Sequence, residues 1–360
     1  EPPIAAGPPR NPLLLPHIED SLLARVLRRP SDELAKATRP DFVNNPQSPV
    51  QWSGDDFAQM ENNREDLLDW PSVLSQFDAE AFLRDGYLVA RDAISTAQLV
   101  AARSEIANWV SESRAHSAPF GPPTEDGKPR FDLAAEHSAA APALRRVNNP
   151  SDISSAYIDI MERSVCVDMV QQLVGPSIKF HHCKINLKLP GTATRVAFHQ
   201  DFAFTPHTND DVVTALIMID DMTAENGCLS VVPGSHRGPV HSLFSGDTFT
   251  GFVAPQIEAK ATQEAVPIIG PAGSVCLMHT RLLHGSEPNA SSMPRGLYIA
   301  VYSAADAHPI ARNPMPNPNE GRVLRGVATR VARMVPVSVE IPQQPHRPSF
   351  FSVQEEASNS

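Results

Sequence analysis

The sequence predicts a mainly β domain with helical additions, its strands closing into a sandwich or barrel. Three observations predict it. Between about Ile178 and Ala305, short apolar runs recur with turn-rich breaks between them, as packed antiparallel sheets require. His182, Lys184, Asn186 and Lys188 alternate with Cys183, Ile185, Leu187 and Leu189, so one strand carries a polar face and an apolar one. Upstream, capping signals and helical periodicity mark helices instead.

Residues 1–76 form a Pro-rich N-terminal extension. LLARVL near residue 22 and DDFAQMENNREDLLDW are short-helix candidates there, and no chemistry is visible in them. The domain proper spans 77–310. Asp78 caps a helix through AEAFLRD, Gly86 closes it, and YLVA follows as a strand. Ser95-Thr96-Ala97-Gln98 is a capping box, in which hydroxyl and amide side chains satisfy reciprocal backbone donors. The helix it opens runs to about Ser113 and sets Leu99, Ala102, Ile106, Trp109 and Val110 on one face. Residues 114–150, rich in Pro, Gly, Ala and Ser, read as a long loop or lid. Ser151 or Asp152 caps a further helix that ends near Gly175-Pro176. The β core, about 178–305, then takes strands from VVTALIMI, CLSVV, GSVCLM and RGLYIAVY. Residues 311–360 are a second Pro-rich extension, in which Arg322, Arg325, Arg330 and Arg333 suggest a solvated or packing face.

Composition narrows the function classes. At 360 residues, with 41% hydrophobic and 20% charged side chains, the chain can bury the core of a globular enzyme. Its formal net charge of −11 opposes nucleic-acid binding, which needs a basic face. Cys166, Cys183, Cys228 and Cys276 are widely spaced and read as buried free thiols in a reducing compartment. No apolar run is long enough to span a membrane. Neither a secretory signal nor a peroxisomal C-terminus is present, so a cytoplasmic protein is expected. A homo-oligomer is left open.

The chemistry begins at Phe198-His199-Gln200-Asp201. Residues one apart on a strand share a side, so His199 and Asp201 can reach one point and supply two metal ligands. His284, immediately after GSVCLM, offers a third. Two imidazoles and a carboxylate on one octahedral face leave three positions open, the arrangement non-haem Fe(II) oxygenases use. Arg295 opens the strand after HGSEPNASSMPR, where its guanidinium can clamp a carboxylate bidentately as Lys cannot.

Taken in order, FLRDGYLV, HQD, DDMTAENGCLSVVPGSH and HGSEPN…PR resemble the phytanoyl-CoA dioxygenase family of 2-oxoglutarate oxygenases, which includes the ectoine hydroxylases. The likeness covers roughly residues 77–307. It implies a double-stranded β-helix, the jelly-roll core of cupin-like proteins, flanked by α-helices. It further implies Fe(II) on His199, Asp201 and His284, with 2-oxoglutarate and O2 as co-substrates. Arg295 would bind the distal carboxylate of 2-oxoglutarate. Asn186 and Thr214 match positions that help hold the same co-substrate, and Ser286 stands close enough to assist. Related halogenases replace the carboxylate ligand with a small residue, so Asp201 implies hydroxylation or a kindred C–H oxidation. Succinate and CO2 would be released.

For the substrate, His182 is the best-placed lining residue because it shares a face with Asn186. Arg146 and Asn148, in LRRVNNP, are further candidates, with a surface position as the alternative. His181 and His207 are secondary. His236 is expected to order a strand end, and His279 to sit in the core. No basic cradle for the nucleotide of an acyl-CoA stands out, and FAFTPHTND after HQD departs from the ectoine hydroxylases. A small polar metabolite, amino-acid derivative or natural-product intermediate is therefore expected. Two other classes stay open: a cupin-like metal-dependent hydrolase or isomerase that ignores 2-oxoglutarate, and a non-catalytic binding protein on the same fold.

Overall fold

The computed structural model describes residues 73–343 and, beyond them, 351, 353, 354 and 357. The two short-helix candidates of the N-terminal extension lie outside the described residues.

The first helix, α1 (Gln76–Asp85), is capped by Ser75, not Asp78. Ser75 accepts from the Asp78 N–H while Asp78 reaches back to the Ser75 N–H. The capping acid therefore sits one turn inside the helix, closing a capping box. Gly86 ends the helix in the left-handed region at φ 82°. A Cβ at Gly86 would meet His236 Nδ1 at 2.4 Å and Leu282 Cδ1 at 2.7 Å. Gly86→Ala should thus combine the left-handed penalty with a steric one, about 2 kcal/mol or more. A Tm drop of about 4 °C or more is expected by thermal denaturation; an unchanged Tm would mean that this junction is not tightly packed.

Strand β1 (Tyr87–Ala90) leads to α2 (Thr96–Ser113), whose Ser95–Gln98 capping box is present. Ala102 and Trp109 are buried, with Leu99, Ile106 and Val110 packed beside them. Residues 114–150 are not all loop: β2 (Phe131–Leu133) and β3 (Leu144–Asn148) lie within them. All five residues of β3 are buried, so Arg145 and Arg146 hide the alternation a sequence reader looks for. The single helix expected up to Gly175 is two, α3 (Ser155–Arg163) and α4 (Val165–Val174). Ser164 separates them with an extended backbone, its hydroxyl donating to the Ile160 carbonyl at 2.6 Å.

The remaining elements are β4 (Ile178–Lys188), β5 (Val196–His199), β6 (Val212–Met218), β7 (Leu229–Val231), β8 (Phe244–Ser245), β9 (Thr248–Phe249), α5 (Pro255–Glu264), β10 (Val266–Pro267), β11 (Val275–His279), β12 (His284–Ser286), β13 (Arg295–Ala304) and β14 (Val323–Arg325). The larger sheet runs β1-β11-β6-β13-β4-β3-β2, with β14 on β4, and the smaller β10-β7-β12-β5. These are the two layers of a double-stranded β-helix, and α1–α4 pack on the outer face of the larger one. Val213, Ala215 and Ile217 of β6 join the helices in one core, while Leu216 and Met218 face the smaller sheet. A strand buried on both faces reads as a continuous apolar run, which is why VVTALIM shows no alternation. Strand β4 does alternate: Cys183, Ile185 and Leu187 join the helical core, and its polar residues line the space between the sheets.

The chain after residue 310 is tied to the domain. Strand β14 pairs with β4, and Arg333 bonds Asp306 and Asp211. Part-buried Arg325 and Arg333 are thus packing residues, while Arg322 pairs with Glu162 from an exposed position.

Candidate active site

Strand β5 ends at His199, and Asp201 opens a 3-10 turn (Asp201–Ala203) rather than continuing the strand. Gln200 fixes that turn. Its amide donates to the Arg281 carbonyl at 2.6 Å and its carbonyl accepts from the His241 N–H at 2.7 Å. Strand β12 runs antiparallel to β5 with His284 directly opposite His199. Residues far apart in sequence thereby become nearest neighbours, their ring centroids 4.2 Å apart.

One ligand atom from each of His199, Asp201 and His284 lies within 4.8 Å of the others, and among the described residues no other His, Cys, Asp or Glu cluster does this. Asp201 Oδ1 is 3.7 Å from His199 Nε2 and 3.8 Å from His284 Nε2. Each imidazole is oriented from behind. Nδ1 of His199 contacts the Ala197 carbonyl, and Nδ1 of His284 the Leu282 carbonyl, both at 2.9 Å. A proton on each Nδ1 satisfies those carbonyls and leaves both Nε2 lone pairs for an ion. Burial, with His199 close by, depresses His284 to about 4 against the pull of Asp201, so the ring is neutral at pH 7. Burial works against ionisation of Asp201, but His284, the His199 hydrogen bond and Lys184 together hold it well below the usual carboxylate range. Two imidazoles and a carboxylate suit Fe(II).

Thr214 is not beside Arg295. The register sets it opposite Val301, well along β13 from Arg295, and its hydroxyl donates to Asp201 Oδ2 at 2.7 Å. It therefore orients the Asp201 carboxylate and leaves Oδ1 facing the imidazoles. Thr214→Val should weaken Fe(II) binding about tenfold or more, measured by anaerobic Fe(II) titration; unaltered affinity would remove this role.

Arg295 opens β13 opposite Lys188 of β4. It is 3% exposed, donates once to the Gly227 carbonyl at 3.1 Å, and its Nε has no partner. Burial pulls it down to about 10 against Cys228 and Asp220, so it stays charged. A buried guanidinium on a cavity wall with its Nε unpartnered can receive an anion. Ser286 accepts from Lys188 Nζ at 2.8 Å, and Lys188 also bonds the Glu287 carbonyl. Asn186 accepts from Arg146 Nε at 3.1 Å.

Arg146, Asn148 and His182 also line the inter-sheet cavity. Arg146 is buried, so the surface alternative falls. A β-bulge in the β4–β13 ladder lets His182 bond its neighbour His181, Nδ1 to Nδ1 at 2.6 Å. His181 meets His207 edge-on behind the cavity wall, ring centroids 5.0 Å apart. His236 bonds the Leu83 carbonyl, and His279 packs against His236, away from the cluster.

Three features escaped the sequence reading. Lys184 and Lys188 line the cavity with Asn186, although the alternation of β4 already placed them on its face. Gln200 is legible only once the turn is seen. Pro342, Gln343, Phe351 and Val353 also border the cavity; the Phe351 ring lies under Arg146 at 4.7 Å, and Gln354 accepts from the Ala197 N–H beside His199. No local signal marks these as site residues.

The comparisons bear on family and fold. The family model for phytanoyl-CoA dioxygenase (PhyH) matches residues 82–297. A probable alpha-ketoglutarate-dependent hypophosphite dioxygenase of Stutzerimonas stutzeri is 36% identical over 205 residues, 55% of this chain and 71% of that protein. L-proline trans-4-hydroxylase of Streptomyces griseoviridis is 27% identical, over 47% of this chain and 71% of its own. Among solved structures, EctD from S. alaskensis with bound Fe superposes at TM-score 0.53 and 21% identity, covering 70% of this chain and 83% of that one. That likeness shows the shared fold. Fold, motif order and family match converge: the chain belongs to the phytanoyl-CoA dioxygenase family and is an iron(II)- and 2-oxoglutarate-dependent dioxygenase.

Proposed function

We propose that His199, Asp201 and His284 hold the iron, that Arg295 grips the distal carboxylate of 2-oxoglutarate, and that the enzyme hydroxylates an unactivated C–H bond of a small polar metabolite. Amino-acid derivatives and natural-product intermediates fall within that class. The observation that carries the reading is the pairing of the three-residue cluster with a buried arginine whose Nε has no partner. A hydrolase or isomerase has no use for that arginine.

The bound iron supplies O2 activation coupled to oxidative decarboxylation of 2-oxoglutarate. One oxygen atom enters the product and the other enters succinate, with loss of CO2. Two electrons from each organic partner balance the four-electron reduction of O2. The protein's residues position and shield. Thr214 fixes Asp201, and the Ala197 and Leu282 carbonyls fix the rings. Lys188 holds Ser286 beside the arginine end, and Arg146 holds Asn186. Phe351 and Val353 border the cavity and help exclude water.

The names of the relatives, acting on hypophosphite, L-proline and ectoine, support a small polar substrate. No helix among the described residues is long and apolar enough to cross a membrane. The four buried free cysteines fit a cytoplasmic enzyme, with residues 77–310 as its catalytic domain. Iron-loaded protein given 2-oxoglutarate and a panel of small metabolites should form succinate and an oxygenated product with at least one of them. A panel that never consumes 2-oxoglutarate would favour the hydrolase or isomerase class.

A further inference from the structure

Strand β4 lays His182, Lys184, Asn186 and Lys188 along the cavity. Three of them are engaged: His182 with His181, Asn186 with Arg146, and Lys188 with Ser286 and the Glu287 carbonyl. Lys184 is different. Among the described residues its ammonium makes no hydrogen bond and no ion pair. It is partly buried and near enough to Asp201 and Arg146 to feel both charges. Burial depresses it to about 8, with Asp201 opposing and Arg146 assisting, so it is largely protonated at pH 7.

The charges of the loaded site show what it lacks. In the loaded site Fe(II), Arg295 and Lys184 would bring four positive charges against three on the 2-oxoglutarate dianion and Asp201; Asp220, the carboxylate near Arg295, is itself paired with Arg103 at 3.5 Å. Asp126, also on the cavity wall, is paired with Lys128 at 2.8 Å. Lys188 is held at about 6, by burial first and then by Arg295, and is largely neutral. One positive charge is left over, and it stands at Lys184, which would share Asp201 with the iron. A cation out of bulk water without a counter-charge is costly; a ligand can supply one.

That ligand is not the same carboxylate that Arg295 takes. Arg295 pairs with Lys188, and Lys184 lies four residues back along β4, about 13 Å. Ile299, opposite Lys184, and Val301 give the adjoining wall an apolar surface.

We propose that the substrate is a small oxyanion, a carboxylate or an oxophosphorus acid, whose negative group sits on Lys184 while its oxidisable centre faces the His199–Asp201–His284 cluster. The inference rests on the oxygenase reading and adds the substrate's charge and its anchor.

Matched probes test it. Iron-loaded enzyme with 2-oxoglutarate is given butanoate, butanamide, butanol, butylamine, butylphosphonate and hypophosphite. Two readouts are followed: succinate formation in air, and perturbation of the visible Fe(II)–2-oxoglutarate absorption under anaerobic conditions. At least one acid should act and the amide, alcohol and amine should not; the carboxylate and phosphorus arms tell the two sources apart. Lys184→Met should raise the half-saturating concentration of the responding acid tenfold or more and that of 2-oxoglutarate less than twofold, and Lys184→Arg should recover most of the loss. The proposal is overturned if the amine or the neutral probes act in place of the acids. It is equally overturned if no acid moves an absorption band that forms normally, or if Lys184→Met weakens 2-oxoglutarate as much as the acid. If Lys184→Met does not fold, the wild-type panel decides. Failure of the band to form at all in wild type would instead strike the oxygenase reading, and this inference with it.

Discussion

Asp201→Ala, His199→Ala and His284→Ala should each lower 2-oxoglutarate turnover by about a thousandfold or more, roughly 4 kcal/mol of lost activation. On the proposed assignment each removes one of three protein donors, and the remaining two would bind Fe(II) too weakly to keep the geometry. The three positions are not equivalent in what they leave behind. Removing Asp201 frees the buried Thr214 hydroxyl, its donor partner, and takes a negative charge from beside both imidazoles. Removing His284 takes the register partner of His199 but leaves the turn at Gln200 intact. The visible absorption that forms when Fe(II) and 2-oxoglutarate are added without O2 should vanish in all three variants, while far-UV circular dichroism should stay that of the wild type. Persistence of that absorption in both His199→Ala and Asp201→Ala would refute the ligand assignment.

Arg295→Met should weaken 2-oxoglutarate binding by about two orders of magnitude, because stripping one partner from a buried ion pair costs about 3–5 kcal/mol. Arg295→Lys should rescue little of this. An ammonium is a point charge without the planar fork that grips a carboxylate, and here it would stand beside Lys188. Iron affinity should be nearly unaffected, since none of the three metal-cluster residues bonds Arg295. Anaerobic titration with 2-oxoglutarate reads the first effect and Fe(II) titration the second. A change in 2-oxoglutarate affinity below threefold in Arg295→Met would mean that the co-substrate lies elsewhere in the cavity.

The legible part of this protein was chemical and local. Ser95 and Gln98 announced a helix start because the capping box needs only four consecutive residues. Gly86 announced a helix end because a left-handed residue favours glycine. The polar face of β4 was visible because alternation survives in a strand with one face on an apolar core. What misled the reading was also local: Ser164 breaks a helix that periodicity carries straight through, and two adjacent arginines disguise β3 as loop although both are buried.

Residue type and short spacing by themselves marked out the three residues that cluster, the guanidinium that lines the cavity, and the β-rich class. These depend on the period of a strand and the chemistry of a side chain, both fixed within a few residues. Only the tertiary structure decided who meets whom. It placed His284 across from His199, bonded Thr214 to Asp201, set Lys188 against Arg295, left the Lys184 ammonium without a hydrogen bond among the described residues, and brought Phe351 under Arg146. Each of those outcomes comes from pairing strands or segments distant in the chain. Such pairings are chosen by the burial of the whole core, and a local pattern carries no record of them.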